Sequence, residues 1–207
     1  MRARPSADGI LVAAEREFAR RGYGETSLRQ LMLASKVSTT AFYARFASKE
    51  AVLRELVLRL IGELDERARS ELMAARSPED GFRRGAAVLA EVLGPKRELV
   101  RLALTEGAAS REVNETVARV YSSLAALLAS QILRLMDRGR IESVDAEAVA
   151  WGLVGAVNIH VLRWAVWREI EVDELAKQLQ ATAKALTPVL VTKPGRVKQN
   201  ATQKERS

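Results

Sequence analysis

Apolar residues recur along this chain at spacings of three and four, which gathers them on one face of a helix. No sustained apolar–polar alternation appears and no hairpin-type turn joins two candidate strands, so the pattern predicts an all-α protein. Ile10, Ala14 and Phe18 share one face of a helix over 7–21, and Gly22 and Gly24 end it. Thr26 or Ser27 caps a short helix that buries Leu28, Leu31 and Met32. After a break at Ser35-Lys36-Val37, Ser38 caps a second short helix over 39–46, with Val37, Phe42 and Phe46 turned inward. Ser48 then starts a long helix from Lys49 to about Ala75.

Ser77-Pro78-Glu79-Asp80 reads as a cap, a proline at the first helical position and two acids suited to the helix dipole. Gly94-Pro95 ends that helix and begins another. The stripe Val117, Tyr121, Leu124, Leu128, Ile132, Leu135 predicts a helix over 111–138. Asp145 caps one running to Trp167, and 172–191 form the last. The expected architecture is about nine helices, the first three forming a helix-turn-helix head on a helical body.

Composition narrows the function classes. Hydrophobic residues make up 48% of the 207 and charged residues 29%, the balance of a globular chain. No apolar run approaches the ~18–20 residues that span a bilayer, and the N-terminus has no signal-type segment. The expected location is therefore the cytoplasm, without a membrane partner. The absence of cysteine excludes disulfides and thiol chemistry, and one histidine without a carboxylate cluster argues against a metal site. No nucleophile elbow or phosphate loop is present, so neither catalysis nor a cofactor is expected. The net charge of +7 sits at the two ends. Residues 1–50 hold nine Lys or Arg against five Asp or Glu, and 193–207 hold five against Glu205 alone. Basic ends suit a polyanion, and they also simply solubilise a chain.

A helix that reads DNA exposes small polar and basic groups at its N-terminal end and is held rigidly by a partner helix. Ser38, Thr39 and Thr40 occupy that end, Ala41 can meet a thymine methyl, and Tyr43 and Arg45 project from the next turn. Lys49 starts the following helix, where its ammonium and the free backbone N–H groups suit one phosphate. Thr26, Arg29 and Lys36 complete the candidate DNA-contacting set. Arg2 and Arg4 form a candidate minor-groove arm.

The run Gly22-Tyr23, Thr26-Ser27, Leu31, Val37-Ser38, Phe42-Tyr43, Phe46 and Ser48-Lys49-Glu50 resembles the DNA-binding head of the TetR family of bacterial regulators. The likeness covers about residues 7–56. It departs from the family at Lys36 and Thr40, where Gly is common, and at Arg45, where His is common. The resemblance implies a repressor that binds a palindromic double-stranded DNA operator as a homodimer and is released by a small-molecule effector. The division it implies is a head over 1–48, an effector-binding and dimerisation body over 49–192, and a basic, disordered tail over 193–207.

Tyr121, Gln131, Asn158 and His160 are polar groups in apolar helices and the candidate effector contacts. The candidate dimer interface comprises Trp151, Gly155, Ile159, Trp164, Trp167, Leu175, Leu179 and Leu186, although the same residues would serve in a core. A second reading is a small-molecule-binding or scaffold protein whose head no longer reads DNA. Repressor versus activator stays open.

Overall fold

The computed structural model describes residues 7–106, 111–139 and 141–190; Arg2, Arg4 and the basic tail lie outside them. Among the described residues the regular structure is entirely helical. The head comprises α1 (Ala7–Arg21), α2 (Leu28–Ser35) and α3 (Thr39–Tyr43), and α4 (Lys49–Met73) leads out of it. The body continues with α5 (Pro78–Leu93), a 3-10 turn at Gly94–Lys96, α6 (Arg97–Thr105), α7 (Arg111–Asp137), α8 (Ala146–Ala165) and α9 (Val172–Leu190).

Side-chain caps set five of these starts. Ser27, Ser38, Ser48 and Ser77 each accept a hydrogen bond from the backbone N–H three residues on, and Asp145 accepts two, from Glu147 and Ala148. At Ser27 the arrangement is reciprocal, because Gln30 Oε1 accepts from the Ser27 N–H at 2.7 Å. Of the two candidate caps of α2, Ser27 is the one used. Helix α3 stops at Tyr43 rather than Phe46, because the Phe42 carbonyl accepts from both Arg45 and Phe46 N–H, at 2.9 and 3.0 Å, and tightens the last turn.

The α2–α3 turn is made by Lys36 at φ 56° and ψ 37°, a left-handed conformation that favours glycine. It lets the Val37 N–H reach back to the Met32 carbonyl at 3.1 Å and closes the helix end, with Val37 buried beneath. A glycine is required at Gly94, where an added Cβ would lie 2.8 Å from Val172 Cγ2 at the approach of the first turn of α9.

One hydrophobic core runs from head to body without interruption. Phe18, Leu31 and Phe42 fill the head, and Val52, Leu53 and Leu56 of α4 pack in the same cluster. Two turns on, Leu60, Leu64 and Ala68 of the same helix are buried in the body. A smaller cluster forms around α7 and the start of α8, built on Ala125, Ile132, Ala150 and Val154.

By length and composition α7 and α8 are apolar enough to cross a membrane, contrary to the expectation that no stretch reached that length. Part of that apolar surface is core: Val113 and Leu127 of α7 and Val161 and Trp164 of α8 are buried in the main cluster. Three residues expected at a dimer interface belong to this core instead. Trp164 is 1% exposed, Leu175 0% and Leu179 4%. They line the seam where α8 and α9 close on the body, so no partner can reach them.

Replacing Lys36 by Gly relieves the left-handed strain, and urea unfolding is expected to show a gain of about 1 kcal/mol. An unchanged or lower midpoint would mean that the lysine side chain stabilises the turn by more than its backbone costs.

Candidate DNA-reading surface and body cavity

Helix α3 is short, so its position depends on what lies beneath it. Phe42 is fully buried, with its ring 6.1 Å from that of Phe46 and 5.8 Å, edge-on, from that of Tyr43. These contacts orient the opposite face outward. Ser38, Thr39, Thr40, Tyr43 and Arg45 are exposed there and Ala41 is half-buried. The Ser38 hydroxyl accepts the Ala41 N–H and keeps its own proton to donate. Arg29 and Lys36 are exposed on the supporting helix and the turn. Among the described residues, no ion pair or side-chain hydrogen bond engages Arg29, Lys36 or Arg45. Arg20 and Arg21, in contrast, are paired to Glu17 at 2.7 and 3.1 Å, and Arg59 to Asp8 at 2.6 Å. The cations around α3 are thus left uncompensated, whereas Arg20, Arg21 and Arg59 are not.

Two candidates for DNA contact have other work. Thr26 is 0% exposed, its hydroxyl donating to the Gly22 carbonyl at 2.7 Å, so it braces the α1–α2 turn and cannot touch a base or phosphate. Lys49 folds back on the same turn: Nζ donates to the Tyr23 carbonyl at 2.7 Å, lies 3.4 Å from that of Gly24, and sits 4.3 Å from the centre of the Tyr23 ring. Its ammonium is therefore engaged within the protein by at least one of its three N–H groups. Tyr23, read in the sequence as part of the family run and given no contact of its own, is the other half of this clasp. Burial first, then the charge of Glu50 and a hydrogen bond to it, pushes its phenol well above the usual range. The signal was an aromatic between two glycines, which does not by itself name a partner.

Within the body, helices α4 to α9 surround a cavity of about 220 Å³. Its wall is apolar except at Tyr121, Asn158 and Thr182. The Tyr121 hydroxyl donates to Asn158 Oδ1 at 2.6 Å, so two of the four expected effector contacts meet each other at the wall. Burial raises the Tyr121 pKa, which keeps the phenol protonated as that donor. The other two do not line the cavity. Gln131 has a buried amide nitrogen without a partner among the described residues. His160 stands behind Thr182, with Nε2 2.8 Å from Oγ1.

The outer face of α8 is bare. Trp151, Gly155 and Ile159 follow one another at intervals of four, Trp151 and Ile159 each 44% exposed, and Trp167 just beyond the helix is 51% exposed. The Leu186 side chain lies outside the described residues.

Residues 10–56 match the model of the bacterial regulatory proteins of the tetR family. By its head, the chain belongs to the TetR family. Curated relatives agree. The HTH-type transcriptional regulator EthR of Mycobacterium tuberculosis is 32% identical over 143 residues, 66% of each chain. The HTH-type transcriptional regulator YuxN of Bacillus subtilis is 28% identical over 116 residues, 55% of this chain and 40% of that one. The chain thus spans two thirds or less of those relatives. The TetR-like fold extends further than the head. The fatty acid degradation regulator FadR of Bacillus halodurans superposes with a TM-score of 0.74 at 19% identity, over 88% of this chain and 96% of that one. A TetR-family regulator from Pectobacterium atrosepticum gives 0.71 at 22%, over 91% and 95%.

The core placement of Trp164, which also carries the Arg97 guanidinium 5.7 Å from its ring centre, has a direct check. Trp164→Ala should lower the unfolding free energy by about 3–5 kcal/mol, as truncation of a buried aromatic does. A loss below about 1 kcal/mol in urea melts would place the side chain at a surface.

Proposed function

We propose that this chain is a DNA-binding transcription regulator that acts as a homodimer on a palindromic operator and is released from it by a small molecule in the body cavity. The observation that carries the reading is the outer face of α3. Hydroxyls of Ser38, Thr39, Thr40 and Tyr43 lie beside the unpaired cations Arg29, Lys36 and Arg45, on a helix anchored by a buried phenylalanine. Hydroxyl and guanidinium groups at such a helix read base edges and hold phosphates. Family membership by the head supports it independently.

The coupling is mechanical. Val57, Leu60, Ile61 and Leu64 of α4 line the cavity, while Val52 and Leu53 of the same helix are packed in the core that includes the head. A ligand that displaces α4 therefore carries the head with it. Two heads must enter major grooves ~34–36 Å apart, so a shift of a few ångströms breaks simultaneous contact. Trp151, Gly155, Ile159 and Trp167 supply a flat aromatic and small-residue surface for a second copy. On this reading α7 and α8 are body helices of a cytoplasmic protein, both lining the cavity, with the outer face of α8 turned to a partner.

The decisive experiment is fluorescence anisotropy on DNA from upstream of the protein's own gene, with a scrambled control and a salt series. Selective binding upstream is expected. Arg45→Ala should weaken it and reduce the salt slope by about 1, as loss of one phosphate contact does. Lys49→Ala should weaken it with the slope unchanged, since Lys49 positions the head. Equal weak binding to every fragment in a genome-wide selection would reject the DNA-reading role.

Self-association has its own readout. Sedimentation should give a dimer at micromolar concentration, and Trp151→Ala combined with Ile159→Asp should give a monomer of unchanged helicity. A wild-type monomer, or a variant that stays dimeric, would remove α8 from the interface.

A further inference from the structure

Among the polar side-chain groups facing the cavity, one has no hydrogen-bond partner among the described residues. None of the lining residues is charged. An anion moved there would give up its hydration and find no cation in return, so carboxylate and phosphate ligands are disfavoured. Thr182 is already engaged with His160. Tyr121 donates its proton to Asn158 Oδ1, which turns that oxygen of the amide toward the phenol. The Asn158 amide nitrogen is then the remaining polar group, without a partner among the described residues. It is not sealed off, unlike the amide nitrogen of Gln131.

We propose that the cavity takes an uncharged, mostly apolar molecule with one carbonyl oxygen, which accepts a hydrogen bond from the Asn158 side-chain amide. The proposal rests on the reading of this cavity as the effector site. A carbonyl meets that donor with no proton of its own to place, whereas a hydroxyl's proton would have to share Asn158 Oδ1 with Tyr121 or turn to the Tyr121 oxygen. A plain hydrocarbon would fill the space and leave the amide unsatisfied. The space also sets a scale for the ligand. An apolar cavity of ~150 Å³ accepts benzene, so about 220 Å³ admits a ligand roughly half as large again. Tyr121 acts as a positioning residue, because without its hydroxyl the amide is free to rotate.

Three probes of matched size separate the alternatives: propiophenone, a ketone; propylbenzene, the hydrocarbon; and phenylacetate, the anion. Binding to the full chain at neutral pH is followed by calorimetric titration and tryptophan fluorescence. Propiophenone should bind severalfold to about tenfold more tightly than propylbenzene, the range of one net hydrogen bond, and phenylacetate most weakly. Asn158→Leu should erase the preference for ketone over hydrocarbon while propylbenzene still binds, which shows that the variant is folded. Tyr121→Phe should reduce the preference part-way. Phenylacetate binding as tightly as the ketone, a preference that survives Asn158→Leu, or no binding by any probe would each overturn the proposal. Adding propiophenone to the protein–operator complex tests the other reading separately. Release of DNA supports the effector role; ketone binding without any change in DNA affinity rejects that role and leaves the cavity chemistry standing.

Discussion

Helix α4 is held by two sets of contacts at once, and this shared packing governs the rest of the molecule. Its first turns are buried with the head through Val52, Leu53 and Leu56, and its middle is buried with the body through Leu60, Leu64 and Ala68. A close-packed interior transmits displacement because it has few voids in which to absorb it. The cavity interrupts that packing at the middle of α4. Lys49, Tyr23 and Glu50 tie the start of the helix to the α1–α2 turn.

Charge is distributed with the same economy of role. Arginines of the body bridge helices: Arg54 meets Glu112 of α7 at 2.7 Å, Arg84 meets Glu71 at 2.6 Å, and Lys96 meets Glu63 at 2.6 Å. Such exposed pairs contribute at most about 1 kcal/mol each and are screened by salt. They nonetheless satisfy the cations involved. Around α3, Arg29, Lys36 and Arg45 are exposed and form no ion pair among the described residues. Uncompensated charge on one face is the electrostatic footprint of a polyanion site. Lys36 accepts backbone strain in a turn where glycine would be easier, and its side chain is exposed beside the start of α3.

Much of this was legible in the sequence, because much of it is local. Caps at Ser38, Ser48, Ser77 and Asp145, the proline at the start of α5 and the stripes of apolar residues act within a few residues of themselves. Helix order, the exposed face of α3 and the family resemblance all followed from such signals. The polar groups Tyr121 and Asn158 were also identifiable as exceptions in apolar helices, although nothing in their 37-residue separation told that they touch.

The tertiary structure decided which side of an apolar helix faces what. Trp151 and Trp164 sit on the same helix with similar chemistry, yet one is 44% exposed and the other 1%. Periodicity places them on different faces without saying which face meets α9 and which meets solvent. Leu175 and Leu179 moved from expected interface to core for the same reason. Thr26 and Lys49 look like DNA contacts by position, and only the folded turn at Gly22–Gly24 offers the carbonyl groups that claim them. The sequence alone determined the helices, the head and the chemistry of its outer face, since these depend on near neighbours. Burial, the cavity and its single unpaired amide arise from residues far apart in the chain, and close packing of helices brought them together.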